Sequence, residues 1–179
     1  MSGRFHIITG GPGSGKTTLI QFLSTQGFHC MPETGRAIIR DEVANDGSAL
    51  PWADRAAFAA KMFTRELHAY KEAGALQGQV IFDRGLPDIV GYLQLCGLDV
   101  PVALMHAAEV LRYAERVFIA PHWPAIYEKD TERQQSEDEA KATFEAMVHA
   151  YTSLGYQLVH LPLVSVEKRA AFIQSRIDA

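Results

Sequence analysis

The chain has little cysteine, no excess of positive charge and no long apolar run. Its two cysteines, Cys30 and Cys96, are too few for a disulfide framework and lack the spacing of metal ligands. The formal net charge of −4 argues against nonspecific binding to nucleic acid. No apolar stretch approaches the roughly 20 residues that span a bilayer, and the N-terminus lacks the pattern of a signal peptide. We therefore expect a cytoplasmic protein with no nucleic-acid partner and no membrane partner.

Hydrophobic residues make up 47% of the 179 positions, which is enough to cover both faces of a sheet within one domain, residues 1–179. Apolar runs alternate with segments of helical periodicity. Such alternation is typical of an α/β fold with a parallel sheet and helices on both faces. The third helical segment begins near Ala56, and Gly74 is expected to end it. The five predicted strands are 5–9, 28–31, 79–82, 117–120 and 158–161.

A glycine-rich segment follows the first predicted strand and has the sequence Gly10-Gly11-Pro12-Gly13-Ser14-Gly15-Lys16-Thr17. Its spacing is that of a phosphate-binding P-loop. The glycines let successive backbone N–H groups turn inward around an anion, and the N-terminus of the next helix faces the same phosphates. Lys16 adds a charge for the β- and γ-phosphates, and the Thr17 hydroxyl is expected to bind Mg²⁺. We expect ATP to bind at Gly11, Pro12, Gly13, Ser14, Gly15, Lys16, Thr17 and Thr18.

Two carboxylates follow predicted strands at the edge where parallel sheets bind ligands. Asp83 comes after the third strand and is a candidate Mg²⁺ ligand, usually through water, or an acceptor of a substrate proton. The alternative is a structural aspartate that caps a helix or pairs with Arg84. Glu33 follows the second strand and is a candidate base for a hydroxyl that attacks the γ-phosphate. Its alternative is a favourable interaction with a helix dipole.

Arginines beyond the same strands are candidates for binding an anionic or sugar-bearing substrate. Arg84, Arg36 and Arg40 would clamp it, and structural ion pairs are the alternative. The polar segment 121–135 is a predicted lid in which Arg133 would close on the transferring phosphoryl group, unless it is a solvated charge run. The predicted catalytic residues are Lys16, Glu33, Asp83, Arg84 and Arg133, the predicted substrate-binding residues are Glu33, Arg36, Arg40 and Arg84, and the predicted metal ligands are Thr17 and Asp83.

Several aromatic residues near these segments have two interpretations. Trp52, Phe58 and Tyr92 either line a pocket for a planar substrate group or pack in the core, as aromatic residues at helical spacing usually do. His122 and Trp123, at the start of the predicted lid, either contact substrate or nucleotide base or have a structural role.

Four segments carry a resemblance to a known family: 9–18, 32–40, 82–88, and 120–127 with Glu132 and Arg133. With them the chain resembles the small AAA-type P-loop ATPase domains, a group that includes the nicotinamide-riboside-kinase-like domain of a regulator of NAD biosynthesis and a GTP-binding transport protein of animals. More broadly it is similar to nucleoside and nucleoside-monophosphate kinases. The resemblance implies a five-stranded parallel sheet with strand order 2-3-1-4-5. It also implies that the kinases' glutamate, Asp/Glu–Arg pair and lid arginine correspond to Glu33, Asp83-Arg84 and Arg133.

Two functions are consistent with these residues. One is a phosphotransferase that uses ATP and Mg²⁺ and acts on a small hydroxyl-bearing, nucleoside-like molecule. The alternative is a nucleotide-binding regulatory module without an acceptor, and a structural domain with a decayed loop is a third reading. No guanine-reading Asn-Lys-x-Asp pattern occurs, so ATP is favoured over GTP, and the chain is too short for the extra helical domain of ring-forming motors. The acceptor stays open, as does the choice between monomer and homodimer.

Overall fold

The structure, a computed structural model, describes residues 3–126 and 136–177. In chain order its elements are β1 (Phe5–Gly10), α1 (Lys16–Thr25), β2 (His29–Met31), α2 (Thr34–Ala44), α3 (Arg55–Ala75), β3 (Val80–Asp83), α4 (Leu86–Leu95), α5 (Val102–Val110), β4 (Arg116–Ala120), a 3-10 turn (Pro124–Ile126), α6 (Glu137–Ser153), β5 (Gln157–His160) and α7 (Val166–Ile177). Among these residues no helix is both long and apolar enough to cross a membrane.

The strands form one parallel sheet in the order β2-β3-β1-β4-β5, which confirms the predicted fold class and strand order. In the register, Ile8 of β1 lies between Asp83 of β3 and Phe118 of β4, and Met31 of β2 pairs with Phe82. The carboxyl ends of β1, β2 and β3 are therefore side by side. The polar segments that follow these strands meet at one edge of the sheet, where such folds bind ligands.

Alternate residues of the central strands pack on opposite faces of the sheet. Ile7 lies in one core cluster with Phe82, and helices α3, α4, α5 and α6 cover that face. Ile8 lies in the other cluster with Phe118, under α1 and α7. Ile7 and Ile8 are both 0% exposed, and burying an aliphatic side chain of this size stabilises the fold by about 1.5–3 kcal/mol. The two faces give the carboxyl-end segments a rigid support.

The predicted end of the third helix is one residue early, because α3 continues through Gly74 to Ala75. The reason lies in Arg4, which precedes β1 and is distant from α3 in the chain. Its guanidinium donates to the carbonyl oxygens of Ala73 (3.1 Å), Gly74 (3.0 Å) and Leu76 (2.8 Å). A cation that satisfies the last carbonyls of a helix offsets the cost of about 1 kcal/mol for glycine inside it.

Candidate active site

The P-loop, residues 10–17, connects the buried end of β1 with the first turn of α1. Gly15 is the N-cap residue of α1 and has a φ of 79°, in the left-handed region that residues with a side chain rarely adopt. At Gly11, an added Cβ atom would lie 2.7 Å from the carbonyl oxygen of Ala140 in α6. Glycine is therefore required at Gly15 by conformation and at Gly11 by close contact. The resulting loop can surround an anion with N–H groups.

Two side chains hold the P-loop in this shape. Ser14 Oγ and Lys16 Nζ both donate to the carbonyl oxygen of Gly11, each at 2.8 Å. Burial, followed by repulsion from Arg84, lowers the pKa of Lys16 to about 8, although nearby carboxylates oppose the shift. Lys16 is therefore mostly charged at neutral pH. Of the other predicted nucleotide-binding residues, Gly13 is buried, Pro12 and Thr17 are half-buried, and Thr18 is exposed.

The side chains that follow β2 and β3 form a charged group, here called the acceptor cluster, which consists of Glu33, Arg36, Asp83, Arg84 and Asp88. Arg84 joins two of its carboxylates: Nε donates to Glu33 Oε1 (3.3 Å) and Nη1 donates to Asp88 Oδ1 (3.2 Å). The backbone of Arg84 has a φ of 72°, a conformation that costs a non-glycine residue about 1–3 kcal/mol. Burial would lower the pKa of Arg84, but the surrounding carboxylates raise it. The guanidinium is thus held as a cation at a strained turn.

Glu33 occupies the N-cap position of α2, yet its side chain makes no capping hydrogen bond. Its Oε1 accepts from Arg84, and its Oε2 lies 3.2 Å from Arg36 Nε. Burial alone would raise the pKa of Glu33, but Arg84, Lys16 and Arg36 together lower it. The side chain remains 21% exposed. Glu33 is therefore an ionised, accessible carboxylate that two arginines orient, rather than a helix cap.

Asp83, the last residue of β3, is 8% exposed, and its Oδ1 has no hydrogen-bond partner among the residues described. Burial, followed by repulsion from Glu33, raises the pKa of Asp83 to about 6. The cap of α4 is Gly85, and within the described ranges no ion pair joins Asp83 to Arg84. Neither structural alternative for Asp83 is realised. A buried carboxylate oxygen without a partner is costly, so this oxygen suits a group from outside the chain, such as a hydrated cation or a hydroxyl.

Asp88 is absent from the predicted site residues, although it forms the base of the acceptor cluster. Besides pairing with Arg84, it accepts hydrogen bonds from the Thr9 hydroxyl, the Gly85 N–H (2.9 Å) and the Tyr151 hydroxyl. These donors come from β1, from the β3–α4 connection and from α6. The sequence signal for this role is the i,i+4 spacing from Arg84, which is too common on helix surfaces to single out Asp88.

Two of the predicted arginines, Arg40 and Arg133, are not among the members of the acceptor cluster that the structure describes. Arg40 is exposed one turn beyond Arg36 on α2, and its side chain makes no hydrogen bond or ion pair within the part of the chain that the structure describes. Arg133 and the rest of 127–135 lie outside the described residues. The roles of Arg40 and Arg133 therefore stay predictions.

The aromatic candidates are divided between core and surface. Phe58 is buried and packs edge-on against Tyr92, with ring centres 5.6 Å apart, whereas Trp52 is 66% exposed. Trp123 faces the guanidinium of Arg169, whose central carbon lies 5.0 Å from the ring centre. Arg169 belongs to α7, so this last contact joins segments that are far apart in the chain.

A P-loop that opens α1 of a parallel 2-3-1-4-5 sheet, with charged residues after the neighbouring strands, defines the fold of the P-loop nucleotide kinases. The chain belongs to the family described as AAA domain, whose model matches residues 5–169. The family resemblance inferred from the motifs is thereby confirmed. No curated protein matches the chain.

Solved structures extend the likeness over nearly all of the chain. A deoxyadenosine kinase from M. mycoides with bound dCMP and dCDP is 14% identical, with a TM-score of 0.69 over 97% of this chain and 98% of the kinase. The NadR protein in complex with NR is 16% identical, with a TM-score of 0.69 over 98% of this chain and 50% of NadR. Thymidylate kinase from Ehrlichia chaffeensis is 12% identical, with a TM-score of 0.66 over 100% of both chains. At such low identity the likeness establishes the fold.

Proposed function

We propose that this protein is a kinase that uses ATP and Mg²⁺ to phosphorylate a hydroxyl group of a small, nucleoside-like molecule. One observation carries the proposal: the buried, unpartnered Oδ1 of Asp83 lies in a charged cluster with the ionised Glu33, at the same sheet edge as the P-loop. A protein that only holds nucleotide needs the P-loop but has no need for a second, accessible carboxylate beside it. Such a carboxylate is what an acceptor hydroxyl requires.

The P-loop residues fit the phosphates of a nucleotide. Gly15 has a left-handed backbone conformation, and Gly11 is too closely packed to carry a side chain. Backbone N–H groups rather than side chains can therefore surround the bound phosphates. Lys16 Nζ, which donates to Gly11 in this structure, has a flexible stem that lets it turn to a phosphate oxygen. In this role Lys16, together with Arg133, stabilises the charge on the transferred group.

Thr17 and Asp83 are the residues proposed to hold Mg²⁺, Asp83 through water. They fit because Thr17 supplies a hydroxyl on the first turn of α1 and Asp83 supplies a buried oxygen without a partner. Oxygen ligands of this kind suit Mg²⁺. When bound, Mg²⁺ supplies positive charge that neutralises the phosphates.

Glu33 is proposed to accept the proton of the acceptor hydroxyl. Its lowered pKa keeps it ionised at neutral pH, and the loose transition state of phosphoryl transfer demands little basicity until late in the reaction. Arg84 and Arg36 hold its two oxygens in place. Arg40, one turn further along α2, is proposed to reach the outer part of the acceptor.

The nucleoside-like character of the acceptor draws support from the similar structures. Their titles name a deoxyadenosine kinase with product dCMP, a protein in complex with NR, and a thymidylate kinase. The first and the third of these titles name kinases of a nucleoside and of a nucleotide. Because identity is 12–16%, this support concerns the class of acceptor and not the individual compound.

The test is a screen of ATP and GTP against a panel of nucleosides, nucleotides, sugars and riboside cofactors, with ADP or GDP release and ³¹P NMR of the product as readouts. We expect slow hydrolysis of ATP alone and turnover at least about tenfold faster with the right acceptor. Lys16→Met should abolish both, whereas Lys71→Met, on the exposed side of α3, should change neither. Nucleotide binding without acceleration by any compound would favour the regulatory module and overturn the kinase.

A further inference from the structure

Arg169 reaches the P-loop from the side of α7. It is 2% exposed. Its Nη1 donates to the carbonyl oxygen of Ser14 at 2.8 Å, and its Nε donates to the carbonyl oxygen of Pro162 at 2.9 Å. The guanidinium also faces the ring of Trp123, 5.0 Å from its centre. Through one side chain, α7 is thus joined both to the P-loop and to the segment that follows β4.

The charge of Arg169 has no acidic partner in residues 3–126 and 136–177. Burial lowers the pKa of Arg169, and no carboxylate opposes the shift. Nη2 has no hydrogen-bond partner within the same ranges. A buried cation that meets only neutral groups destabilises a fold. An anion bound in the adjacent P-loop would supply the missing opposite charge.

The carbonyl group that accepts from Arg169 belongs to the peptide bond between Ser14 and Gly15. In a trans peptide the C=O and N–H groups point in opposite directions, so the bond to Arg169 turns the Gly15 N–H away from α7. A charged donor on the oxygen also polarises the peptide and strengthens its N–H as a donor. The fit is close, because an added Cβ at Gly15 would lie 3.0 Å from Arg169 Nη1 and 3.0 Å from Ile126 Cδ1.

We propose that Arg169 is a positioning residue for nucleotide binding, which orients the Ser14–Gly15 peptide toward the phosphates and links the P-loop to Trp123. The inference rests on the proposed function in one respect, namely that the P-loop binds nucleotide. Two consequences follow from the geometry. Loss of the Arg169 side chain weakens nucleotide binding without altering acceptor binding, and nucleotide binding changes the surroundings of the Trp123 ring.

The experiment uses the full chain with Trp52→Phe, which leaves Trp123 as the single tryptophan. ATP and ADP are titrated while Trp123 fluorescence is recorded, and Kd is measured in parallel by calorimetry. In this background Arg169→Gln should weaken ATP binding by about tenfold or more, abolish the fluorescence response and leave the KM for acceptor unchanged. Arg169→Lys keeps the charge and should restore part of the affinity.

The matched control is Arg176→Gln. Arg176 also lies on α7, donates to Phe172 O at 3.1 Å and covers the Phe172 ring at 3.4 Å, but it makes no contact with the P-loop among the described residues. Its substitution should leave nucleotide binding unchanged. If Arg169→Gln fails to fold by circular dichroism, Arg169→Lys decides alone, and unchanged Kd and fluorescence response in that variant overturn the role. Equal weakening of nucleotide and acceptor binding overturns it too.

Failure of the proposed function has a different signature. If the Trp52→Phe parent binds no nucleotide, then the kinase proposal is overturned and the role of Arg169 with it. If the parent binds ATP and both Arg169 variants bind it equally well, only the role of Arg169 is overturned.

Discussion

The P-loop and the acceptor cluster lie at the same edge of the sheet, but their contacts span very different distances along the chain. In the P-loop, side chains bond to the Gly11 carbonyl from three and five positions away. In the acceptor cluster, Arg84 bonds to Glu33 across 51 positions, and Asp88 bonds to Thr9 across 79. The P-loop is therefore held mainly by its own side chains, with Arg169 as a support 155 positions away, whereas the cluster exists only once the strands are in register. Substitutions in the cluster should affect turnover and stability, whereas loss of the distant support from Arg169 should affect mainly nucleotide affinity.

The largest effect is expected from Asp83→Asn, which removes a charge from the cluster and leaves the P-loop unchanged. Turnover should fall roughly 10³-fold, which corresponds to about 4 kcal/mol, because the amide cannot replace the carboxylate beside the phosphates. Nucleotide affinity without Mg²⁺ should stay within about threefold of wild type. Steady-state kinetics and calorimetry measure the two quantities. Asp41→Asn, at an exposed carboxylate on α2, is the control, and more than a tenth of wild-type turnover in Asp83→Asn would contradict the assignment.

The next effect concerns the stability of the cluster. Asp88→Asn should lower the free energy of unfolding by about 3 kcal/mol, because it takes a charge from a buried pair with Arg84 and offers an amide N–H₂ to donors such as the Tyr151 hydroxyl. Urea unfolding measures the change. Asp54→Asn alters the N-cap of α3 and should cost less than about 0.5 kcal/mol. Equal effects at Asp88 and Asp54 would show that the cluster is no more dependent on tertiary contacts than a local cap.

A third prediction concerns pH and a carboxyl group behind the cluster. Glu66 of α3 is 3% exposed and accepts a hydrogen bond from the Tyr113 hydroxyl at 3.3 Å. Burial, followed by the charge of Asp88, raises the pKa of Glu66 from 4.5 to about 8. Between these values the unfolded chain loses a proton that the folded chain keeps, so Glu66 reduces stability progressively as the pH rises from about 4.5 to 8.

Glu66→Gln removes this dependence and keeps a side chain of similar shape. Its advantage in unfolding free energy over wild type should grow by about 2 kcal/mol between pH 6 and pH 8 and then level off. Urea unfolding at a series of pH values measures it. Glu72→Gln, at an exposed position of the same helix, should show no such trend. A constant difference between wild type and Glu66→Gln across the pH range would mean that Glu66 keeps an ordinary pKa.

The smallest effect distinguishes two arginines that lie one turn apart on α2. Arg36 pairs with Glu33 at 3.2 Å, so Arg36→Ala should raise the KM for acceptor about fivefold, in the range of a partly exposed ion pair. Arg40 is exposed and has no such partner among the described residues, so its proposed contact with the outer part of the acceptor is solvated, and Arg40→Ala should raise KM by only about twofold. The KM values decide between them. A larger effect of Arg40→Ala would place the acceptor further along α2 than the cluster itself.

Much of the fold could be predicted because it depends on short-range patterns. The apolar runs locate all five strands to within one residue at either end, and their alternation with helices indicates a parallel sheet. The strand order came from the family resemblance. The exact end of α3 could not be predicted, because the donors that satisfy its last carbonyls belong to Arg4, 69 and 70 positions earlier in the chain. The helix propensity of Gly74 depends only on the local sequence and does not include the contact with Arg4.

The candidate site divides in the same way. Its P-loop is recognisable because the required conformation and charge belong to neighbouring residues. The proximity of Glu33 and Asp83 could also be predicted, because each follows a strand and parallel strands end at the same edge of the sheet. The sequence does not predict which carboxylates pair with Arg84. Asp83 is its neighbour in sequence, yet Asp88 and Glu33 are its partners. Arg84 adopts a left-handed backbone conformation, with φ of 72°, which its sequence neighbours do not predict.

The sequence by itself determined that this is an α/β P-loop protein with charged residues beyond its strands, because periodicity and motif spacing are properties of contiguous segments. Only the tertiary structure decided that Asp88 anchors the acceptor cluster, that Asp83 keeps a buried oxygen without a partner in the described chain, and that Arg169 supports the P-loop across 155 positions. The physical reason is that burial, electrostatic shifts and hydrogen bonds between distant segments arise from packing, which no local pattern encodes.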